Sequence, residues 1–291
     1  MSSVYVLGNA SLDISLRVLR LPMPGETLMA SGITRAPGGK GLNQAVVVAR
    51  ADVATHFCAA IGNEPEAELI WSALAAEHFS GLQLFDGGQP TDVSTLLVDG
   101  GGENCIISTG DCADALSEAV AADFCAGMRP DDILLVQGNL TEAATFAAVS
   151  RAGRVVMNIA PVRWKSARVF AECAVVIANR TEAAQVTGLA DPTKAVQALG
   201  GAVGVVTLGP GGCLVADAAG VTHYPAVRVE AVDSTGAGDA FCGVFAAALA
   251  RRLPLGRAVE VAQYAAALTV ERAGCFAALP TREELAAILG D

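Results

Sequence analysis

Lysine is scarce in this 291-residue chain: only Lys40, Lys165 and Lys194 occur, no basic run appears, and the formal net charge is -11. Affinity for a phosphate backbone rests on clustered Lys and Arg, so nucleic acid is not an expected partner. Histidine is just as sparse. His56, His78 and His223 lie far apart, which removes zinc-ligand spacing and any nucleophile served by a histidine. No uninterrupted apolar run reaches the roughly 18 residues of a membrane span, and the opening MSSVYVLGNASLD lacks the basic flank and long apolar region of a secretory leader. The eight cysteines form no C-x-x-C pair and mostly sit in apolar surroundings, which reads as reduced core thiols in a cytoplasmic protein. Repeats, low-complexity tracts and linkers are also missing, so residues 1–291 are expected to form one unit.

What is present is apolar and rhythmic. Hydrophobic residues make up 53% of the chain, enough to bury a large core at this length. Short β-rich runs at 3–8, 133–138, 154–159, 174–179 and 204–209 are nearly continuous in apolar character, as strands covered on both faces are. Helical stretches separate them: Thr141 is placed to cap one that Gly153 would end, and Asn63 precedes another running to His78. The alternation predicts an α/β fold with a mainly parallel sheet. Residues 11–36, around Pro24-Gly25, and 92–109, around DGGGEN, instead alternate apolar and polar residues, and the second reads as a hairpin. They are expected to pair into a small sheet, either a flap over a cleft or a decorated edge of the main sheet.

Two glycine-rich stretches open helices. In PGGKGLNQAVVVARA, Gly38, Gly39 and Gly41 precede a helix beginning near Leu42, a start that would expose N–H groups to a ligand and turn Lys40 and Asn43 towards it. A glycine turn opening a core helix is the plainer alternative. It is not a Walker A loop, because Thr34 and Gly41 stand where that motif needs Gly and Ser or Thr. In DSTGAGDAF, Gly236 and Gly238 permit a tight turn whose amides would hold an anion where a transferring phosphoryl group develops charge. A carboxylate beside that hole would repel phosphate unless it had another task, such as taking the proton of an attacking hydroxyl; simple favouring of the helix dipole is the other explanation for Asp239. Phe241 occupies the third glycine position of a dinucleotide fingerprint, which argues against a nicotinamide dehydrogenase. Asp13, just past the first run, is suited to two neighbouring sugar hydroxyls or to a turn. Asn179, Glu182 and Thr207 likewise follow strand-like runs, where open α/β sheets bind ligands.

With these motifs the chain resembles the ribokinase-like (PfkB-type) carbohydrate kinases over essentially its full length, from VYVLGNASLD to ERAGCFAALPTREEL. GGKGLNQAVVVAR is similar to the family's N-terminal signature and DSTGAGDAFCGVF to its C-terminal one, and PMPGETLMA and DGGGENCII resemble the lid of the ribokinase branch. The resemblance implies a three-layer α/β/α sandwich with a small β-sheet lid, formed by about 11–36 and 92–109. It implies ATP and Mg2+ as cofactors, a sugar with a primary hydroxyl as acceptor, and a homodimer joined through the lid. By residue, it makes Asp239 the base and Gly236, Ala237 and Gly238 the anion hole. Ser11, Asp13, Gly39, Lys40, Asn43 and Asn139 would contact the sugar. Asn179, Thr207, Gly209, Gly212 and Gln263 would contact ATP, with Gly238 beside its phosphates, and Glu182 would reach Mg2+ through water. Asp233, Thr235, Thr269, Arg272 and Gly274 match a K+ site. Three positions depart from the family pattern: Ser11 and Asn139 replace an asparagine and a glutamate that touch ribose, and Ala278 replaces a serine near the K+ site. A nucleoside kinase on the same fold and a non-catalytic sugar sensor remain as alternatives.

Overall fold

The computed structural model describes residues 2–100 and 104–290. Its strands, in chain order, are β1 (Val4–Leu7), β2 (Ser11–Arg17), β3 (Gly32–Gly38), β4 (Thr55–Ile61), β5 (Gly81–Asp86), β6 (Asp92–Val98), β7 (Asn104–Ser108), β8 (Ile133–Gln137), β9 (Arg154–Asn158), β10 (Val175–Asn179), β11 (Val203–Thr207), β12 (Cys213–Asp217) and β13 (Gly220–Tyr224). A large sheet runs β13-β12-β11-β10-β9-β8-β1-β4-β5, parallel from β11 to β5 with an antiparallel β12-β13 edge. The five apolar runs read from sequence are its contiguous middle, β1 and β8 to β11. Alternate residues of these strands feed two separate cores: Val4, Val6, Ile133 and Leu135 point to one, and Leu7, Leu134 and Val136 to the other. Burial on both faces is why those runs show no polar alternation.

The first core is closed by the helices Lys40–Arg50, Ala237–Ala250, Leu255–Val270 and Arg282–Leu289. The second is closed by Glu118–Phe124, Glu142–Val149, Ala167–Ala171 and Pro192–Ala198. The result is the expected three-layer α/β/α arrangement. Among the described residues no helix is long and apolar enough to cross a membrane.

A second, four-stranded sheet runs β3-β2-β6-β7, with β2 parallel to β6 and the other pairs antiparallel. The expected hairpin is present as β6 and β7, although its tip at Gly101, Gly102 and Glu103 lies outside the described residues. Pro24-Gly25 forms a turn, with Gly25 at φ 82 and the N–H of Glu26 donating to Met23 O at 3.0 Å. It sits within a long connection from β2 to β3 rather than closing a tight hairpin.

Two local expectations need correction. Thr141 caps its helix by accepting from the Ala144 N–H, but that helix stops at Val149 and Gly153 does not end it. Gly153 instead precedes β9, where an added Cβ would lie 2.7 Å from Pro130 O. The helix after Asn63 begins only at Ala67 with no side-chain cap, and Asn63 donates to Asp86 at 3.4 Å instead.

Candidate functional site

The ends of β1, β8, β9, β10 and β11 open on one side of the large sheet, and the small sheet stands over them. Between the two lies a cavity of about 820 Å3 lined by residues from both, including Asp92, Ser94, Leu96, Ile106 and Ser108 of the small sheet. Of the residues singled out from sequence, Asp13, Gly39, Lys40, Asn43, Asn139, Asn179, Glu182, Thr207, Thr235, Gly236, Gly238 and Asp239 line this cavity.

Asp239 is its chemical centre. Helix Ala237–Ala250 starts at Gly236, whose φ of 84 is left-handed and therefore suited to glycine. The Ala237 N–H reaches Ser234 O at only 3.4 Å, and the amides that follow sit in a first turn with no carbonyl above them, a ready anion site. Asp239 is only 5% exposed; it sits in the first turn of its helix, where a carboxylate favours the dipole, but its oxygens are engaged elsewhere. Asn43 Nδ2 donates to Oδ2 at 3.0 Å and Gln44 Nε2 to Oδ1 at 3.0 Å. Both donors come from helix Lys40–Arg50, which approaches closely because position 243 is glycine. A Cβ there would lie 2.7 Å from Val47 Cγ1 and 3.0 Å from Gln44 O.

Two of the amides at the start of helix Lys40–Arg50 are taken within the protein, while Gly39 and Lys40 line the cavity. Gly41 N–H donates to Asn9 Oδ1 at 3.3 Å and Leu42 N–H to Asn9 O at 3.0 Å. The strand-end loop carrying Asn9 folds over the helix start and takes them, and this segment also presents the side chains of Lys40 and Asn43. The Lys40 ammonium is held above its ordinary range, chiefly by the Asp239 carboxylate and also by Glu182, against the opposing effect of burial.

Asp13 lies on β2, not in a turn or cap, and is 9% exposed. Burial lifts its carboxyl to about 6, with Asp239 adding to the rise and the hydrogen bond from Ser11 opposing it. Ser11 itself is buried and donates its hydroxyl to Asp13 Oδ1 at 3.1 Å. It therefore supports Asp13 rather than lining the cavity. Gly38, on the neighbouring β3, leaves room for this carboxylate: an added Cβ would sit 2.1 Å from Asp13 Cγ. Asn139 donates Nδ2 to Asn9 Oδ1, and Arg163 Nη1 donates to its backbone carbonyl at 2.7 Å while pairing with Asp114. Asn43 Oδ1 and Asn139 Oδ1 are buried without a partner. Free acceptors beside a cavity are suited to hydroxyl donors of a ligand, since an unmet buried carbonyl is costly.

Asn179 and Glu182 form a reciprocal capping box on helix Arg180–Thr187, each side chain accepting from the other's backbone N–H at 2.8 Å. That accounts for their spacing without any ligand. Glu182 uses Oε2 for the cap, lines the cavity, and has its carboxyl raised by burial, with Lys40 opposing. Among the described residues no group of three or more His, Cys, Asp or Glu is arranged to hold a metal by itself. One carboxylate beside a phosphate site is instead the donor set that suits Mg2+, which keeps several waters and leans on substrate phosphates.

Thr207 ends β11 at the cavity, whereas Gly209, Gly212 and Gln263 lie outside its lining. Gly212 has φ 83 and faces Tyr224 O, 2.0 Å from where its Cβ would be, so it shapes the β11-to-β12 loop. Gln263 is on helix Leu255–Val270. The remaining set is a loop clasp. Asp233 accepts from Thr235 N–H and Gly274 N–H, both at 2.9 Å, Thr269 O accepts from Arg272 N–H at 3.2 Å, and the Arg272 side chain pairs with Glu284. Ala278 is buried. Residues not singled out from sequence are Asn9, Arg163 and Cys275 in the lining, Cys275 accepting from Asn43 Nδ2 at 3.2 Å, and Gln44 and Gln137 buried behind it.

A buried carboxylate in the first turn of a glycine-started helix, with buried carbonyls free to accept from hydroxyls, suits an enzyme that transfers a phosphoryl group to an alcohol. The description of the pfkB family carbohydrate kinases matches residues 1–282. The chain belongs to that family and is an ATP-dependent carbohydrate kinase. It is similar to the ribokinase of Haemophilus influenzae, 31% identical over 295 aligned positions covering 97% of this chain and 96% of that one. Among solved structures it is similar to ribokinase from Thermotoga maritima, at TM-score 0.89 and 30% identity over 100% of both chains. The fold is also shared with Arabidopsis thaliana ribokinase solved with ribose and ATP, at TM-score 0.85 and 24% identity over 100% of both chains.

Proposed function

We propose that the chain transfers the γ-phosphoryl group of ATP to the primary hydroxyl of ribose or a close pentose, with Asp239 as the base. The observation that carries this is the Asp239 carboxylate, buried, bound by two side-chain amides, and set in the first turn of a helix whose Gly236 and Gly238 line the same cavity. Asp239 takes the hydroxyl proton as the sugar oxygen bonds to phosphorus, and the bond from phosphorus to the bridging oxygen of ADP breaks. The amides of Gly236, Ala237 and Gly238 stabilise charge on the transferring group, and the Lys40 ammonium adds to that field. Mg2+ supplies charge neutralisation on the phosphates when bound. Glu182 would hold it through water, and Asn179, Thr207, Gly209, Gly212 and Gln263 would hold the nucleotide, the last three from beyond the cavity lining.

Ribose is favoured because relatives at about 30% identity are ribokinases. Asp13, Gly39, Lys40, Asn43 and Asn139 form the sugar side, with Ser11 acting through Asp13. The small sheet is a lid on a single catalytic unit spanning 1–291, and its Leu96 and Ile106 reach the cavity, where they exclude water that would hydrolyse ATP. Leu19, Met29 and Ile107 are exposed on or beside that sheet and supply the contact of a homodimer. All eight cysteines are free, which suits a reducing cytoplasm. K+ is the least supported cofactor, because Asp233 already joins the two loops by itself. The test is ADP release from ATP across free pentoses, hexoses, adenosine, inosine and pseudouridine. Ribose or another pentose should give the highest kcat/KM; a nucleoside preferred tenfold, or sugar binding without ADP release, would overturn the assignment.

A further inference from the structure

Below the cavity floor lies a hydrogen-bonded pair that the reaction described above does not use. Gln44 and Gln137 are both fully buried, at 0% exposure, and neither lines the cavity. Gln44 Nε2 donates to Asp239 Oδ1 at 3.0 Å, and Gln137 Nε2 donates to Gln44 Oε1 at 2.9 Å. The direction of the chain is fixed from one end. A carboxylate only accepts, so Gln44 must turn its NH2 to Asp239; its carbonyl then faces Gln137, which must donate in turn. Gln137 Oε1 is left without a partner.

Packing does not ask for these amides. Their neighbours in sequence, Val46, Val47, Leu135 and Val136, are fully buried and apolar, and aliphatic side chains would fill the same space without stranding a carbonyl. Room has also been kept for Gln137, since a Cβ on Gly8 would lie 2.0 Å from its Oε1. What the pair does accomplish is directional. Of the two Asp239 oxygens, Oδ1 is tied to the interior by Gln44, and Oδ2 is shared with Asn43, which does line the cavity.

We propose that Gln44, itself held by Gln137, is the positioning residue for the base: it fixes the plane of the Asp239 carboxylate so that Oδ2 faces the acceptor hydroxyl. This rests on the reading of Asp239 as the base. A small misplacement of a reacting group lowers turnover by up to about 10²-fold without weakening substrate binding. Gln44 and Gln137 touch neither substrate, so their removal acts on kcat.

The experiment measures kcat, both KM values and thermal unfolding for wild type, Asp239→Asn, the double variant Gln44→Leu/Gln137→Leu, and Gln44→Glu. The double variant leaves no unpaired amide behind. Its kcat should fall roughly 10- to 100-fold with both KM values within about threefold of wild type. Gln44→Glu keeps the shape and the bond from Gln137, and reads the direction of the contact. Protonated, the new carboxyl donates to Asp239; ionised, it repels it, because two buried carboxylates share one proton. The ratio of its kcat to that of wild type should rise about fivefold or more from pH 9 to pH 6. Lys40, Asp13, Glu182, Cys242 and Cys275 surround Asp239 in both proteins, so the ratio, and not the rate of the variant alone, is the quantity to follow. A double variant with kcat within twofold of wild type, or a pH-independent ratio for Gln44→Glu, overturns the proposal. If the double variant does not fold, the ratio alone decides. Normal turnover by Asp239→Asn sinks the base reading and the positioning role with it; an inactive Asp239→Asn beside a fast double variant removes the positioning role only.

Discussion

Replacing Asp13 by Asn should make the protein more stable at neutral pH while weakening its hold on the sugar. The carboxyl is buried and its pKa is raised from 3.8 to about 6 in the fold, chiefly by burial, with Asp239 adding to the rise and Ser11, Ser94 and Lys40 opposing it. A group whose folded pKa lies above its unfolded value favours the fold when protonated. Its contribution is therefore intact below about pH 4 and is lost as pH rises towards 6. Two pKa units correspond to about 3 kcal/mol between the protonation states, so ionised Asp13 opposes folding by that order at pH 8. Asn stays neutral, keeps an oxygen for the Ser11 hydroxyl and occupies the same volume. Urea unfolding at pH 4, 6 and 8 should then show a difference near zero at pH 4 that grows to about 1–3 kcal/mol in favour of the variant at pH 8. Calorimetric titration should show weaker sugar binding by the same variant. A variant less stable than wild type at pH 8, or a difference that does not change with pH, would refute the reasoning. The site would then be storing no electrostatic cost for its function.

Glu182→Gln preserves the capping box, which accepts either side chain, but removes the negative charge; the Mg2+ concentration for half-maximal rate should rise 10- to 100-fold, with unchanged unfolding, and a shift below twofold would contradict the metal role. Exchanging K+ for a large organic cation at constant ionic strength should alter kcat by less than about twofold, because Asp233 closes the loops with two backbone hydrogen bonds; a tenfold loss would support K+ at the Asp233 loops. Ile107→Lys, at a residue 68% exposed on the small sheet, should shift sedimentation from dimer to monomer, and a wild type already monomeric at micromolar concentration would exclude the interface.

The fold was legible wherever burial on both faces erased alternation, as in ILLVQ and VVIAN. It was less so at the edges. β4 begins Thr-His, with Thr55 bonded to Val53 O and His56 stacked on Tyr5 at 4.3 Å, so its burial is hidden behind polar letters. β5, β12 and β13 are short or partly exposed and carry weaker patterns. In the site, the glycines marked both helix starts, because close approach and positive φ leave little choice of residue. The amides did not announce their partners. Gln44 meets Asp239 across 195 positions and Gln137 meets Gln44 across 93, and although both stand in apolar runs, nothing local says what they bond to. Asn179 and Glu182 were singled out as strand-end polar groups, and the capping box they form accounts for their spacing by itself.

The central claim is that Asp239 does chemistry rather than hold the fold or the sugar. Its most direct test is single-turnover phosphoryl transfer to the preferred sugar by wild type and Asp239→Asn, with sugar affinity measured on both. The expected result is a rate lower by about 10² to 10⁴-fold with affinity within severalfold of wild type. Near-normal transfer by the variant, or a loss explained wholly by failed sugar binding, would contradict it.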